Sequence, residues 1–305
     1  MFKRRHPYLF FILVFAAIIS ASSIVLNVFS GIMDQKKVKA VEKVGIIEIS
    51  GMILDAGKTT KQLKQFREDD NIKAVVLRID SPGGAVGPSQ EIYREAGRTV
   101  EVKPVIASMG AIAASGGYYV AAAADGIVAN PGTITGSIGV LMKLTNFREM
   151  FEKIGIYSDV VKSGEHKDIG SPFRSISEKE EKLLQQFVDS VHRQFVSDVA
   201  AGRNLAKEEV GAFADGMIFS GEDAKNAGLV DRLGNFNDAV EWAGRKGGIE
   251  GKITTVYPPE EKFSFIRRIL EITAGEIESM FYRMHSDVPR GGYMYDPAAA
   301  GNPGF

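Results

Sequence analysis

A serine followed at once by two glycines, in Ala113-Ala114-Ser115-Gly116-Gly117-Tyr118-Tyr119, is the residue type and setting from which a nucleophile could be built. Its hydroxyl attacks a carbonyl only if a partner takes its proton. Histidine is the usual partner, and the chain has four: His6, His166, His192 and His285. His6 precedes an apolar N-terminal run, His192 lies in a long amphipathic pattern, and His285 is near the C-terminal tail. His166 stands beside Lys167 in Lys162-Ser163-Gly164-Glu165-His166-Lys167-Asp168-Ile169-Gly170-Ser171-Pro172. A serine activated by a lysine is the expectation, with Lys167 the candidate base, His166 and Lys162 behind it, and an ordinary solvated lysine as the plain alternative. A lysine in this role must be neutral near pH 7, although the free side chain titrates at about 10.4. Burial in apolar surroundings supplies such a shift. A fall of about three units costs roughly 4 kcal/mol, which the fold or the bound substrate must offset.

Two further glycine-bearing turns could complete an acyl-transfer site. Asp80-Ser81-Pro82-Gly83-Gly84 follows an apolar run, and paired glycines let a backbone approach a ligand closely. The N–H groups of Gly83 or Gly84, together with that of Gly116, could hold the oxyanion that develops when a carbonyl is attacked. A plain strand-to-helix turn is the alternative, and no Gly-Lys-Ser/Thr follows to make a P-loop. Taken alone, Ser115 also fits a helix N-cap. Position 113 is Ala, so the Gly-x-Ser-x-Gly elbow of the α/β-hydrolases is not matched. The third turn, Asn130-Pro131-Gly132-Thr133-Ile134-Thr135-Gly136-Ser137-Ile138-Gly139, reads either as a substrate-lining loop or as an ordinary polar one.

Around these turns, apolar runs alternate with helical patterns, which predicts parallel βαβ units and an α/β core. Strands are expected at 44–49, 73–80, 104–109, 126–129, 137–141 and 157–161, and helices at 59–70, 86–102, 115–124 and 146–154. Val75, Val76, Leu77 and Ile79 form the near-continuous run of a strand buried on both faces. Ser177 and Glu180 make a capping box, opening a long helix with Leu184, Phe187, Val188, Val191, Phe195 and Val199 at helical spacing. Ser220 is expected to cap another. Residues 44–260 read as one catalytic domain, 261–285 as an amphipathic helix that packs on a partner or a membrane surface, and 286–305 as a mobile tail.

The chain has 305 residues with a net charge of −1, so nothing favours nucleic-acid binding by counterion release. Cysteine is absent, which excludes disulfides, thiolate metal sites and a thiol nucleophile. Tyr8–Val28 is an almost wholly apolar span of 21 residues, close to the roughly 20 that cross a bilayer as a helix. Lys3, Arg4 and Arg5 precede it, placing the N-terminus in the cytoplasm. We read residues 1–33 as the basic terminus and a transmembrane anchor, 34–43 as a linker, and the catalytic domain as extracytoplasmic. A cleaved secretory signal is the alternative.

Four segments in this order resemble the signal peptide peptidase A (protease IV) family: Asp80–Gly84, Ala113–Tyr119, Asn130–Gly139 and Ser163–Pro172. The resemblance covers roughly residues 44–250. It implies the short, single-domain form, with a fold similar to the Clp protease and crotonase superfamily: an α/β core of repeated ββα/βαβ units behind an N-terminal transmembrane helix. By the same resemblance Ser115 is the nucleophile, and Lys167, 52 residues later, is the general base. Ser137 orients that lysine, and Gly83 or Gly84 with Gly116 forms the oxyanion hole. A Clp-type catalytic histidine would fall within 140–157, where there is none. The implied enzyme is a membrane serine endopeptidase acting on remnant signal peptides and similar apolar peptides. It forms a homo-oligomeric ring whose sites are shared between subunits, and it needs no metal or cofactor. The tail Gly291–Ala300 is rich in small residues and could lie in the enzyme's own groove as a product-like or regulatory segment, with a disordered solubilising tail as the alternative. A crotonase-type acyl-CoA enzyme and a catalytically idle membrane scaffold are the rival readings.

Overall fold

The computed structural model describes residues 42–259, the backbone of 292–294, and Ser20. The apolar run 8–28 and the amphipathic stretch 261–285 lie outside the described residues. Among the described residues no helix is long and apolar enough to cross a membrane.

The chain from residue 42 onward forms a compact unit of its own. Its elements are β1 (Lys43–Ser50), α1 (Gly57–Glu68), β2 (Ile72–Ser81), β3 (Gly83–Ala85), α2 (Val86–Val100), β4 (Val105–Ala114), α3 (Gly116–Ala121), β5 (Gly126–Ala129) and β6 (Ile134–Gly136). They continue as α4 (Arg148–Lys153), α5 (Glu178–Arg203), α6 (Lys207–Gly211), β7 (Ile218–Ser220), α7 (Gly221–Asn226), β8 (Arg232–Leu233), α8 (Phe236–Lys246), β9 (Thr254–Val256) and β10 (Gly292–Met294).

Strand alternation sorts the apolar side chains onto two faces of one sheet. Ile47, Ile49, Val75, Leu77 and Ile79 pack with Leu63, Phe66, Ile92, Tyr118 and Phe195 in one core. Val44, Ile46, Ala74, Val76, Ile106 and Val128 pack with Ala239, Val240 and Ala243 of α8 in the other. Covering both faces accounts for the unbroken apolar run of β2, and the layers are those of a mixed α/β sheet.

The main path runs β7-β6-β4-β2-β1-β9. β1, β2, β4, β5, β6, β8 and β9 pair in parallel, and β7 joins β6 antiparallel. β4 carries two partners on one edge, β5 through Ile106–Ser108 and β6 through Ile112–Ala114. Between these stretches its register with β2 jumps, from Ile79↔Met109 to Ser81↔Ala113. Asp80 fills the resulting bulge, its carboxylate accepting the Ile112 N–H at 3.1 Å. A Cβ at Gly110 would lie 2.8 Å from the Asp80 carboxyl carbon, so Gly110 leaves that side chain its room.

Several sequence expectations need correction. The strand expected at 137–141 lies instead at Ile134–Gly136. It stops there because Gly136 and Ser137 both adopt positive φ, which breaks a ladder. Residues 157–161 form no strand, because they have no pairing partner among the described residues. Within 286–305 the described residues 292–294 form β10, which pairs antiparallel with β3. By contrast, α5 opens on the expected capping box, with Ser177 accepting from Glu180 N, and Ser220 caps α7 through Asp223 N.

Close packing fixes α5 against the end of α3. A Cβ on Gly202 would lie 2.0 Å from the Ala122 carbonyl oxygen, which is backbone and has no rotamer to yield. Gly202→Ala should therefore destabilise the protein by about 1–3 kcal/mol, as overpacking does. Urea unfolding monitored by circular dichroism measures this.

Candidate active site

Ser115 occupies the single residue between β4 and α3, with φ 53° and ψ −117°. That conformation costs a non-glycine residue about 1–3 kcal/mol and persists only where the surroundings enforce it. Three contacts do so. Ser115 N donates to Gly136 O at 2.8 Å, and Ser115 O accepts from Tyr119 N at 2.8 Å. Gly117 sits so close to Ser81 that a Cβ there would lie 2.8 Å from the Ser81 carbonyl oxygen. The turn is thus a strained strand-to-helix elbow, although the sequence does not match the hydrolase motif.

The hydroxyl is 1% exposed. Its oxygen has no hydrogen-bond partner, one of three such buried side-chain atoms among the described residues, with His166 Nδ1 and His192 Nε2. Buried polar atoms are almost always paired, so a missing partner has to be explained.

Ser137 lies beside this elbow. Its neighbour Gly136 accepts the Ser115 N–H, and Ser137 N donates to Met217 O at 2.8 Å. Ser137 is 6% exposed and also adopts a positive φ, 51°. Two threonines that sequence reasoning passed over stitch this loop to β4. Thr133 Oγ1 donates to Gly110 O at 2.8 Å, and Thr135 Oγ1 to Ala113 O at 2.7 Å. Their spacing of two was the available signal, since it turns both hydroxyls to one side of an extended chain.

The glycine turn divides its roles. Gly83 N donates to Ser81 Oγ at 3.1 Å. Gly83 O and Ala85 N are both engaged by Ile53, at 2.9 and 2.8 Å. Backbone groups alternate along a strand, so those of Gly84 point to the opposite side, where Tyr293 of β10 is its register partner. Gly84 cannot be larger, because a Cβ would lie 2.2 Å from Ile53 O. Ser115, Gly116, Ser137 and the Gly83–Gly84 pair thus gather beyond the C-terminal ends of β2, β4 and β6. In open α/β sheets that is where ligands bind.

Lys167 is placed apart from this group in bonding terms. It is exposed, in a turn between α4 and α5 where Lys167 N donates to Gly164 O at 3.2 Å. The Ser115 hydroxyl has no hydrogen-bond partner among the described residues, Lys167 included. An ion-pair cluster that was not anticipated follows Lys167 directly. Arg174 pairs with both Asp168 and Glu180, and Lys162 also pairs with Asp168. The Arg174 guanidinium and then the Lys162 ammonium hold the Asp168 carboxyl well below the usual carboxylate range. Arg174, followed by Ser177, brings Glu180 down to about 2. Both carboxylates are therefore ionised at neutral pH, and the cluster loosens only as pH falls from about 4.5 through about 2.

A buried serine on a strained elbow, beside a turn of paired glycines, is an arrangement that acyl-transfer chemistry can use. The comparisons specify which kind. Residues 98–250 match Peptidase family S49, and residues 33–133 match Clp protease. "Putative protease slr0021" of Synechocystis sp. is 44% identical over 230 residues, 75% of this chain and 83% of that protein. "Putative signal peptide peptidase SppA" of Enterococcus faecium is 37% identical over 214 residues, 66% of this chain and 62% of that protein. Protease 4 of Haemophilus influenzae is 37% identical over 211 residues, 66% of this chain and 34% of that protein. The chain thus spans less than two thirds of the last two relatives. It belongs to Peptidase family S49 and is a serine peptidase.

The strained elbow makes a prediction that separates folding from chemistry. Glycine adopts φ 53° without strain. Ser115→Gly should lose peptidase activity yet unfold at higher denaturant than Ser115→Ala, by about 1 kcal/mol. Paired denaturation curves of the two variants check it.

Proposed function

We propose that the chain is a membrane-anchored serine endopeptidase in which Ser115 of one copy is activated by Lys167 of a neighbouring copy. Its substrates are remnant signal peptides and similar apolar peptides. The observation that carries this reading is Ser115, 1% exposed, whose hydroxyl has no partner among the described residues. A nucleophile so buried needs a proton acceptor delivered from elsewhere.

The segment bearing Lys167 suits delivery to another copy. Val161 is 102% exposed, Tyr157 78% and Ile154 62%, an apolar surface unlike that of a finished monomer. Covering it with a second copy would bury these side chains and exclude water around the lysine ammonium, which favours the neutral amine that a general base requires. Closure of such contacts head to tail gives a ring.

In the reaction, Lys167 takes the Ser115 proton as Oγ attacks the scissile carbonyl, and the same lysine then protonates the leaving amine. Water, deprotonated by the lysine, releases the acyl group from Ser115. Ser137 orients the lysine. Gly116 N–H and Gly84 N–H are the better oxyanion donors, since Gly83 N–H is already given to Ser81 Oγ. The anchor is the apolar run 8–28, with the catalytic domain extracytoplasmic. The signal-peptide substrates follow the name borne by the Enterococcus relative. Membership of a peptidase family displaces the acyl-CoA alternative.

β10 supports a binding mode. It lies antiparallel on β3, with Tyr293 opposite Gly84 and Met294 opposite Gly83. A substrate strand adding to the same edge would present its carbonyls to the Gly84 side, so the tail occupies the path of a peptide. Truncation after Ser286 should then lower KM for an added apolar peptide several-fold with kcat little changed. Unchanged steady-state kinetics would refute the tail's occupancy.

The shared site is tested by complementation. Ser115→Ala and Lys167→Ala should each be inactive alone, roughly 1,000-fold or more below wild type. Co-assembled, they should regain a measurable fraction of peptide hydrolysis, from junctions that pair an intact serine with an intact lysine. Wild-type turnover in Lys167→Ala would refute the dyad.

A further inference from the structure

The turn that carries Lys167 has little apolar anchorage, for residues 157–161 and Lys167 itself are exposed. A general base must nonetheless be held within a fraction of an ångström of its working position. We propose that Arg174 is a positioning residue for the reaction, its guanidinium fastening the Lys167 turn to the first turn of α5. This deepens the Ser115–Lys167 reading and rests on it.

The geometry is a double fork. Arg174 Nε donates to Asp168 Oδ2 at 2.8 Å, and Nη2 to Asp168 Oδ1 at 3.0 Å and to Asp168 O at 3.2 Å. On its other side Nη1 donates to Glu180 Oε2 at 2.8 Å, and Nη2 to Glu180 Oε1 at 2.5 Å. Asp168 is the residue after Lys167, so two bonds to its carboxylate and one to its carbonyl fix the backbone that the lysine springs from. Glu180 is the acidic member of the α5 capping box, accepting from Ser177 N at 3.0 Å while Ser177 Oγ accepts from Glu180 N at 3.3 Å. α5 in turn is rooted in the core by Val191, Phe195 and Val199. Rigidity therefore passes from the core through α5, Glu180, Arg174 and Asp168 to Lys167.

Only arginine can do this. A planar guanidinium offers donors on two edges, whereas an ammonium is a point charge that cannot engage both carboxylates in two-pronged fashion. The side chains are 12% exposed at Asp168 and 6% at Glu180, so removing the cation would leave two close carboxylates poorly solvated and mutually repelling. The other charges around the cluster cannot replace it. Lys162 reaches Asp168 and Glu165 O, Lys179 pairs with Glu165 at 3.0 Å, and His166 faces Glu165 at 3.7 Å. None of these is bonded to Glu180.

The test compares Arg174→Gln, Arg174→Lys, Glu180→Gln and Lys167→Ala in the full chain, with an apolar fluorogenic peptide and pH profiles of kcat. The proposal expects kcat to fall roughly 100-fold in both Arg174 variants, with KM within about twofold. It also expects the rising limb of the profile to move to higher pH. Glu180→Gln should shift the limb the same way, and its effect should not add to that of Arg174→Gln. If Arg174→Gln keeps the wild-type kcat and profile while Lys167→Ala is inactive, the positioning role is overturned and the dyad stands. It is equally overturned if kcat falls only in proportion to unfolded protein with the profile unmoved. Activity in Lys167→Ala would instead sink the dyad reading, and this inference with it.

Discussion

The conformation of one residue organises the catalytic half of the molecule. Ser115 is held at φ 53° by a hydrogen bond to Gly136, a bond from Tyr119, and the close approach of Gly117 to Ser81. Each restraint comes from a different element, β6, α3 and the end of β2. Each of those is fixed by burial in the larger core, where Tyr118 and Tyr119 are almost wholly enclosed. Tyr119 reaches Asp198 of α5 and stacks near Tyr93 and Phe195, so the helix behind the nucleophile is tied to α2 and α5. The strain at the elbow is affordable because so much packing surrounds it.

The same logic separates the two halves of the site. The serine, its neighbours Ser137 and Gly116, and the glycine turn belong to the sheet and inherit its rigidity. Lys167 belongs to a segment outside the sheet, held by one arginine and two carboxylates. One half is preorganised by hydrophobic burial and the other by ionic bonds and, on the reading above, by the surface of a neighbour.

Much of the scaffold was legible in the residues, because local rules governed it. The unbroken run Val75–Leu77 with Ile79 gave β2 through its burial on both faces, and Ser177 with Glu180 gave the start of α5 through reciprocal capping. The misplaced strand at 137–141 arose because its apolar residues satisfy a strand pattern while the positive φ of Ser137 does not show in composition. Tyr157–Val161 has strand-forming residues and no strand to pair with among the described residues, so propensity had nothing to act on. β10 was out of reach because its partner lies more than two hundred residues earlier and its glycines argue for a loop. Of the site, Ser115 could be singled out from its flanking glycines. The role of Arg174 could not, since in sequence it is one charge among many.

The bulge between Met109 and Ala113 sets a rule about length rather than identity. Side chains of an extended chain alternate, so losing or gaining one residue there would turn everything downstream to the reverse side. The hydroxyl of Ser115 would then swing out of its buried position, and β6, docked downstream at Ile112–Ala114, would lose its matching partners, while β5, docked upstream at Ile106–Ser108, would keep its own. Exchanges that respect the space beside Asp80 leave this count untouched. For this stretch of chain, insertion and deletion are the lethal edits, and homologues should keep its spacing even where their letters differ.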